Sequence, residues 1–177
     1  MSVLSVPYTP MSEDVFFFDT NIWLHLCASI GNYGYNKQRQ CSRLLNDISI
    51  NGNKILLTSL ILSEFINAYL KMEFYVLAEK NKWSRHDYKN LYRNTPECQS
   101  HMDCVKQIIQ RQILPKTTMI NDRFSRNIID DIFKNFKNNA DFNDYYFLEL
   151  ARSNKLIIVT DDQDFTNICE NITVIKL

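Results

Sequence analysis

The apolar positions of this chain follow two rhythms. Unbroken short runs stand at Val15-Phe16-Phe17-Phe18, at 54–57 and at Leu156-Ile157-Ile158-Val159, and weaker ones at 116–120 and 173–175. A run without alternation is the mark of a strand covered on both faces. Helical spacing fills the intervals. It predicts helices over 21–29, over a stretch capped by Asn36 that carries Cys41, Leu44, Leu45 and Ile48, and over a long segment capped by Thr58 or Ser59. Gly31 to Gly34 and Asn51-Gly52-Asn53 read as a loop and a turn.

The middle of the chain reads as helix after helix. Ser84 stands three residues before Asp87, as in a capping box. Thr95-Pro96-Glu97 supplies a cap, a first-position proline and a first-turn acid, and Pro115 ends that helix. Asn121 is expected to cap a helix carrying Phe124, Ile128, Ile132 and Phe136, and Asp141 to open another that runs to Ser153. Strands alternating with helices predict an α/β fold, a three-layer αβα arrangement around a parallel sheet of about four to five strands. Residues 1–13, with Pro7 and Pro10, read as a loose extension, and 14–177 as a single domain in which 73–115 is a helical elaboration.

A length of 177 residues suits one domain with a proper core. Three glycines are too few for phosphate-cradling loops, and neither the Walker nor the Rossmann spacing occurs. No apolar run approaches the roughly 18 residues that span a bilayer. The N-terminus has no basic region ahead of an apolar core, so it does not resemble a signal peptide. Five cysteines, an odd number without a disulfide-like framework, favour a reducing cytoplasm. Charge is unevenly spread: residues 80–126 hold ten Lys or Arg against four Asp or Glu, a local +6 in a chain whose total is zero. One end suited to phosphate and another suited to metal is one reading; a solvated set of helices is the other.

The informative residues are acids. In an open parallel sheet, ligands lie beyond the carboxyl ends of the strands. Asp19 follows the first apolar run, and Asp161, Asp162 and Asp164 follow the run at 156–159. Glu64 sits in the apolar context Leu60-Ile61-Leu62-Ser63-Glu64-Phe65-Ile66. Asp144 shares a helical stripe with Phe147, Leu148 and Ala151. Inward carboxylates need pairing, hydrogen bonds or a cation, and hard divalent cations take oxygen ligands. Each acid also has a structural reading. Asp19 can cap a helix, Glu64 can answer the helix dipole, Asp141 and Asp144 can form a capping box, and Asp162 and Asp164 can be turn and cap residues.

Taken in order, these segments resemble the PIN-domain family over most of the chain. The quoted pieces are Phe18-Asp19-Thr20-Asn21 at the first strand end, Ser63-Glu64 after the second strand, Asp144 sixteen residues before Thr160, and Thr160-Asp161-Asp162-Gln163-Asp164-Phe165. The resemblance implies an acidic quartet of Asp19, Glu64, Asp144 and Asp162, with Asp164 as a fifth member. It makes Thr20, Asn21 and Thr160 hydrogen-bonding support. It implies Mg²⁺ or Mn²⁺ as cofactor and metal-dependent cleavage of single-stranded RNA. Many small bacterial members resemble VapC toxins, which implies an antitoxin protein and a second copy of the chain as partners. The segment 73–115 is longer than in those compact toxins.

Other signals carry less. Cys98, His101 and Cys104 are spaced three apart, but three ligands at that spacing match no common zinc pattern. Trp83, Tyr88 and Tyr92 lie among Lys82, Arg85, Lys89 and Arg93. These form either a surface that stacks bases and grips RNA phosphates or core aromatics with exposed charges around them. His25 and His86 lack a nucleophile arrangement for a hydrolase triad. A haloacid-dehalogenase-like enzyme would carry a second Asp where this chain has Asn21. A receiver domain would need a strand-ending Lys that Lys176 does not supply. A PIN fold that only binds RNA or protein would be expected to lack one or more of the acids.

Overall fold

The computed structural model describes residues 2–28, 35–122, 124–168 and 171–177. In chain order the strands are β1 (Ser2–Ser5), β2 (Val15–Phe18), β3 (Lys54–Leu57), β4 (Thr118–Met119), β5 (Ile157–Thr160) and β6 (Thr173–Lys176). The helices are α1 (Thr20–Cys27), α2 (Tyr35–Ile50), α3 (Ser59–Asn81), α4 (Asp87–Asn90), α5 (Pro96–Ile108), α6 (Arg126–Asn135), α7 (Phe142–Asn154) and α8 (Asp164–Ile168). The sheet is parallel throughout, in the order β1-β6-β5-β2-β3-β4.

That order fixes where a ligand can sit. From β2 the chain winds outward through β3 to β4, then returns to β5 on the other side of β2 and winds outward again to β6. Right-handed crossovers therefore put the helices of the two halves on opposite faces. Alternation along β2 agrees: Phe18 meets Trp23 of α1 at 5.3 Å, while Phe17 meets Phe147 of α7 at 5.1 Å. The strand order reverses between β2 and β5, and their carboxyl ends flank the crevice of a doubly wound sheet.

The three-layer αβα fold is as expected, with corrections at the margins. The sheet has six strands, because residues 2–5 are not a loose extension but pair in parallel with β6. Four residues whose partner lies at the far end of the chain leave no local signal. The rest of the leading segment is also tied down. Buried Asp14 accepts from the Tyr8 hydroxyl at 2.7 Å and the Met11 N–H at 2.8 Å, and Asn53 donates to the Met11 carbonyl at 2.7 Å. The strand expected over 116–120 shrinks to two residues, preceded by a π-helical turn at Ile109–Ile113 and a 3₁₀ turn at Leu114–Lys116.

The caps divide between expected and corrected. Thr58 caps α3 by accepting from the Ile61 N–H, and Thr95 caps α5 ahead of Pro96. Asn36 is no cap, since α2 already includes Tyr35; the loop expected at Gly31 to Gly34 lies outside the described residues. Ser125, not Asn121, caps α6. Its hydroxyl sits three residues before Ile128, where it can reach an open N–H of the first turn. Phe124 and Phe136 consequently fall outside α6.

The elaboration over 73–115 carries its own small core of Phe74, Ala78, Tyr92 and Cys98, against which Trp83 and Tyr88 pack. Tyr92 is fully buried, and its hydroxyl pairs with His101 Nδ1 at 2.9 Å. Tyr69 donates to Cys104 Sγ at 3.2 Å. Cys98 is thus a packing residue, while half-buried His101 and exposed Cys104 are the hydrogen-bond partners of Tyr92 and Tyr69. Among the described residues, no helix is long and apolar enough to cross a membrane.

Candidate active site

The end of β2 delivers Asp19 to the crevice, and the end of β5 delivers Thr160. Asp19 is 7% exposed and Thr160 is fully buried. Asp19 caps α1: its Oδ1 accepts from the Thr20 N–H at 2.6 Å. Its Oδ2 accepts from Asn21 Nδ2 at 2.6 Å and from the Thr160 hydroxyl at 2.7 Å. The Thr160 oxygen in turn accepts from Asn21 Nδ2 at 3.2 Å and from the Asp162 N–H at 2.9 Å. Asn21 Oδ1 accepts from the Asp161 N–H at 3.1 Å. Thr20, Asn21 and Thr160 therefore form one hydrogen-bonded frame around Asp19.

Glu64 enters from the second turn of α3. It accepts from the Thr20 hydroxyl at 2.9 Å and from the side-chain amide of Asn143. Asn143 is in the first turn of α7, so Glu64 links α1, α3 and α7. Asp144, the next residue, is half-buried and closes a reciprocal capping box. Its carboxylate accepts from the Asp141 N–H at 3.0 Å, while Asp141 accepts from the N–H groups of Asn143 and Asp144. Asp162 is exposed and accepts from the Asp164 N–H at 2.9 Å; Asp164 opens α8 and is exposed. The capping roles read as alternatives in the sequence are real for Asp19, Asp141 and Asp144, and Asp162 makes the turn bond.

Electrostatics tie the acids together. Burial pushes the Asp19 carboxyl up to about 6; bonds from Thr160 and Thr20 oppose the rise, and the charges of Glu64 and Asp162 add to it. Burial pushes Asp144 up to about 7, against its bond from the Asp141 backbone, with further rises from Asp141, Asp19 and Asp162. The charges of Glu64 and Asp162 thus reach Asp19, and those of Asp19 and Asp162 reach Asp144. As placed, no three His, Cys, Asp or Glu side chains among the described residues stand ready to ligate one ion. Each carboxylate instead spends bonds on the frame or a cap. The donor set is nonetheless all oxygen and short of positive charge, which fits a hard divalent cation.

Burial of the Asp144 carboxyl, with the charges near it, predicts a measurable instability without metal. Asn at 144 keeps an oxygen for the Asp141 N–H and removes the charge. A carboxyl raised from 3.8 to about 7 binds its proton more tightly folded than unfolded. Its penalty is full above about pH 7 and absent below about pH 4. Solvent screening of a half-buried group reduces it to about 1–2 kcal/mol. Metal-free Asp144→Asn should melt about 4 °C above wild type near pH 7.5. The gap should close as pH falls to about 4, and Mg²⁺ should stabilise wild type more than the variant. A variant less stable at every pH would leave Asp144 with the capping role alone.

Three features had no sequence signal strong enough to find them. Asn143 holds Glu64. Lys37 Nζ donates to Asp161 at 2.5 Å and His25 Nε2 lies 3.2 Å from it. Burial works against Asp161, but these two partners hold its carboxyl below the ordinary range. The Ser59 hydroxyl donates to Asp122 just past β4. Partners separated by 63 to 136 residues are invisible without the fold.

Lys82 is not brought to this site. Lys82, Arg85, Lys89 and Arg93 are exposed, with the Arg93 guanidinium over the Tyr88 ring at 5.4 Å. Lys82 follows Glu64 by eighteen residues along α3, roughly 27 Å at 1.5 Å per residue. Trp83, Tyr88 and Tyr92 are core aromatics with exposed charges around them.

A doubly wound parallel sheet with carboxylates at its switch point is the setting of many enzymes that act on phosphorylated ligands. The PIN domain family matches residues 16–171, and the chain belongs to that family, whose members are generally nucleases. A chain in the crystal structure of VapBC2 from Rickettsia felis, bound to a DNA fragment from their promoter, is similar in fold. It aligns with a TM-score of 0.51 and 12% identity over 90% of this chain and 96% of that one. A comparison with curated protein sequences finds no match.

Proposed function

We propose that this protein is a Mg²⁺- or Mn²⁺-dependent endoribonuclease that cuts single-stranded RNA. The observation that carries the reading is that Asp19, buried where the strand order reverses, and half-buried Asp144 are both pushed up by burial and raised further by neighbouring carboxylates, in a chain of the PIN family. Acids that repel one another at a crevice are stable company only when a cation joins them. Asp19, Glu64, Asp144 and Asp162 would hold it, with Asp164 at the rim. A divalent cation held there would supply activation of a water and charge neutralisation at the leaving oxygen. The chain's own residues supply orientation. Thr160 and Asn21 fix the Asp19 carboxylate, and Thr20 and Asn143 fix Glu64. His25 and Lys37 hold Asp161 aside as a charge-compensated neighbour.

The fold likeness to a VapBC2 chain supports a finer reading: a cytoplasmic toxin that works as a homodimer and is restrained by a protein antitoxin. The test is direct. Purified protein is incubated with single-stranded RNA, double-stranded RNA and single-stranded DNA in Mg²⁺ or Mn²⁺, with and without chelator. Cleavage of single-stranded RNA alone, abolished by chelator, is the expected result. Cleavage that survives chelation, or none with either ion, would overturn the assignment.

A further inference from the structure

Beside the carboxylates, where α3 and α7 begin, opens a pocket of about 260 Å³ lined by Ser59, Asp122, Phe124, Phe142, Asn143 and Tyr146 among others. We propose that it is a substrate subsite that receives one unpaired nucleobase, stacked against Phe124 and Phe142. The inference rests on the nuclease reading and adds to it how the strand is seated.

Three observations carry it. The first is the ring geometry. Phe142 and Tyr146 lie one turn apart on α7 with centroids 6.1 Å apart and planes within 23°, and Phe124 stands 6.4 Å from Tyr146. The Tyr146 hydroxyl donates to the Asp122 carbonyl, which fixes that ring as a backing. Phe124 is 70% exposed, an apolar ring left in water at the mouth of the pocket. The second is position. Asn143 lines the pocket and donates to Glu64, and it lies between Phe142 and Asp144 in sequence. A base in the pocket thus places its own phosphate near the carboxylates.

The third observation is charge. Asp122 lines the pocket, and a carboxylate there repels a phosphate from the pocket itself. The base is the uncharged part of a nucleotide, so it suits this surface. Every base offers a π-face, and stacking on aromatic side chains holds single strands with little demand on sequence.

A short single-stranded RNA carrying one 2-aminopurine, moved position by position, tests this in an Asp19→Asn background that binds without turnover. At one position the probe's fluorescence should be quenched by stacking. Phe124→Ala, a change at an exposed residue that leaves the fold intact, should abolish that quench and weaken binding about tenfold. Phe124→Trp should restore both. An abasic residue at the quenched position should weaken binding to the unsubstituted ring by a similar factor and make Phe124→Ala silent. Equal affinity and quench in Phe124→Ala, or equal weakening on intact and abasic RNA, would overturn the proposal. So would a variant that binds RNA normally but changes its oligomeric state, since the rings would then serve a protein contact. Stacking without cleavage in the Asp19 protein would overturn the nuclease reading and leave the subsite standing; cleavage without stacking would do the reverse.

Discussion

Asp19→Asn should lower RNA cleavage by more than about a hundredfold while the protein stays folded. Asp19 is the most buried of the acids and the one the frame of Thr20, Asn21 and Thr160 is built around. Losing an outer partner of a metal ligand typically costs about 10–100-fold, and losing the ligand itself costs more. Asn21→Ala, which removes one such partner, should therefore cost about tenfold. Single-turnover cleavage at saturating RNA, with circular dichroism to check folding, separates the two. Asn at 19 with near wild-type cleavage would remove Asp19 from the chemistry and leave it a helix cap.

Phe147→Ala should destabilise the protein by about 3–5 kcal/mol. Phe147 is 1% exposed, packs at 5.1 Å against Phe17 and lies beside Tyr146 at 6.5 Å. It is a contact between the central strand and the helix that carries Asn143 and Asp144. At this chain length the melting temperature should fall by about 10 °C. Phe147→Leu, which keeps most of the volume, should cost less than half as much. Urea denaturation of the three proteins measures this. A loss under about 1 kcal/mol for the alanine would mean that α7 is held mainly by its capping box and its tie to Glu64, and not by this contact.

The sequence made the centre of the fold legible and left its margins obscure, for a physical reason. β2, β3 and β5 are buried on both faces, so their apolar runs stand out. β1 pairs only with β6 and has an exposed Val3, so four residues looked like a tail. At the site, Asp19, Glu64, Asp144 and Asp162 each had a capping or dipole reading as plausible as a functional one. What the fold adds is proximity, which depends on strand order and on partners as distant as Thr160. Asn143 and Lys37 were missed because a polar side chain on a helix gives no hint of what it will meet across the fold. The basic residues at 82–93 are exposed, and Lys82, at the end of α3, stands far from Glu64 along that helix.

The sheet's two outer strands also say how the protein avoids sticking to itself. An unpaired strand edge is a template for a neighbouring chain, and the hazard grows with its length. Here one border is β4, only two residues long, and the other is β1, which gives way almost at once to Pro7 and then Pro10. Proline offers no N–H to an incoming strand. The six strands thus end on both sides in borders too short and too interrupted to recruit another copy edge to edge. Self-association, where it occurs, is left to helical faces and side chains.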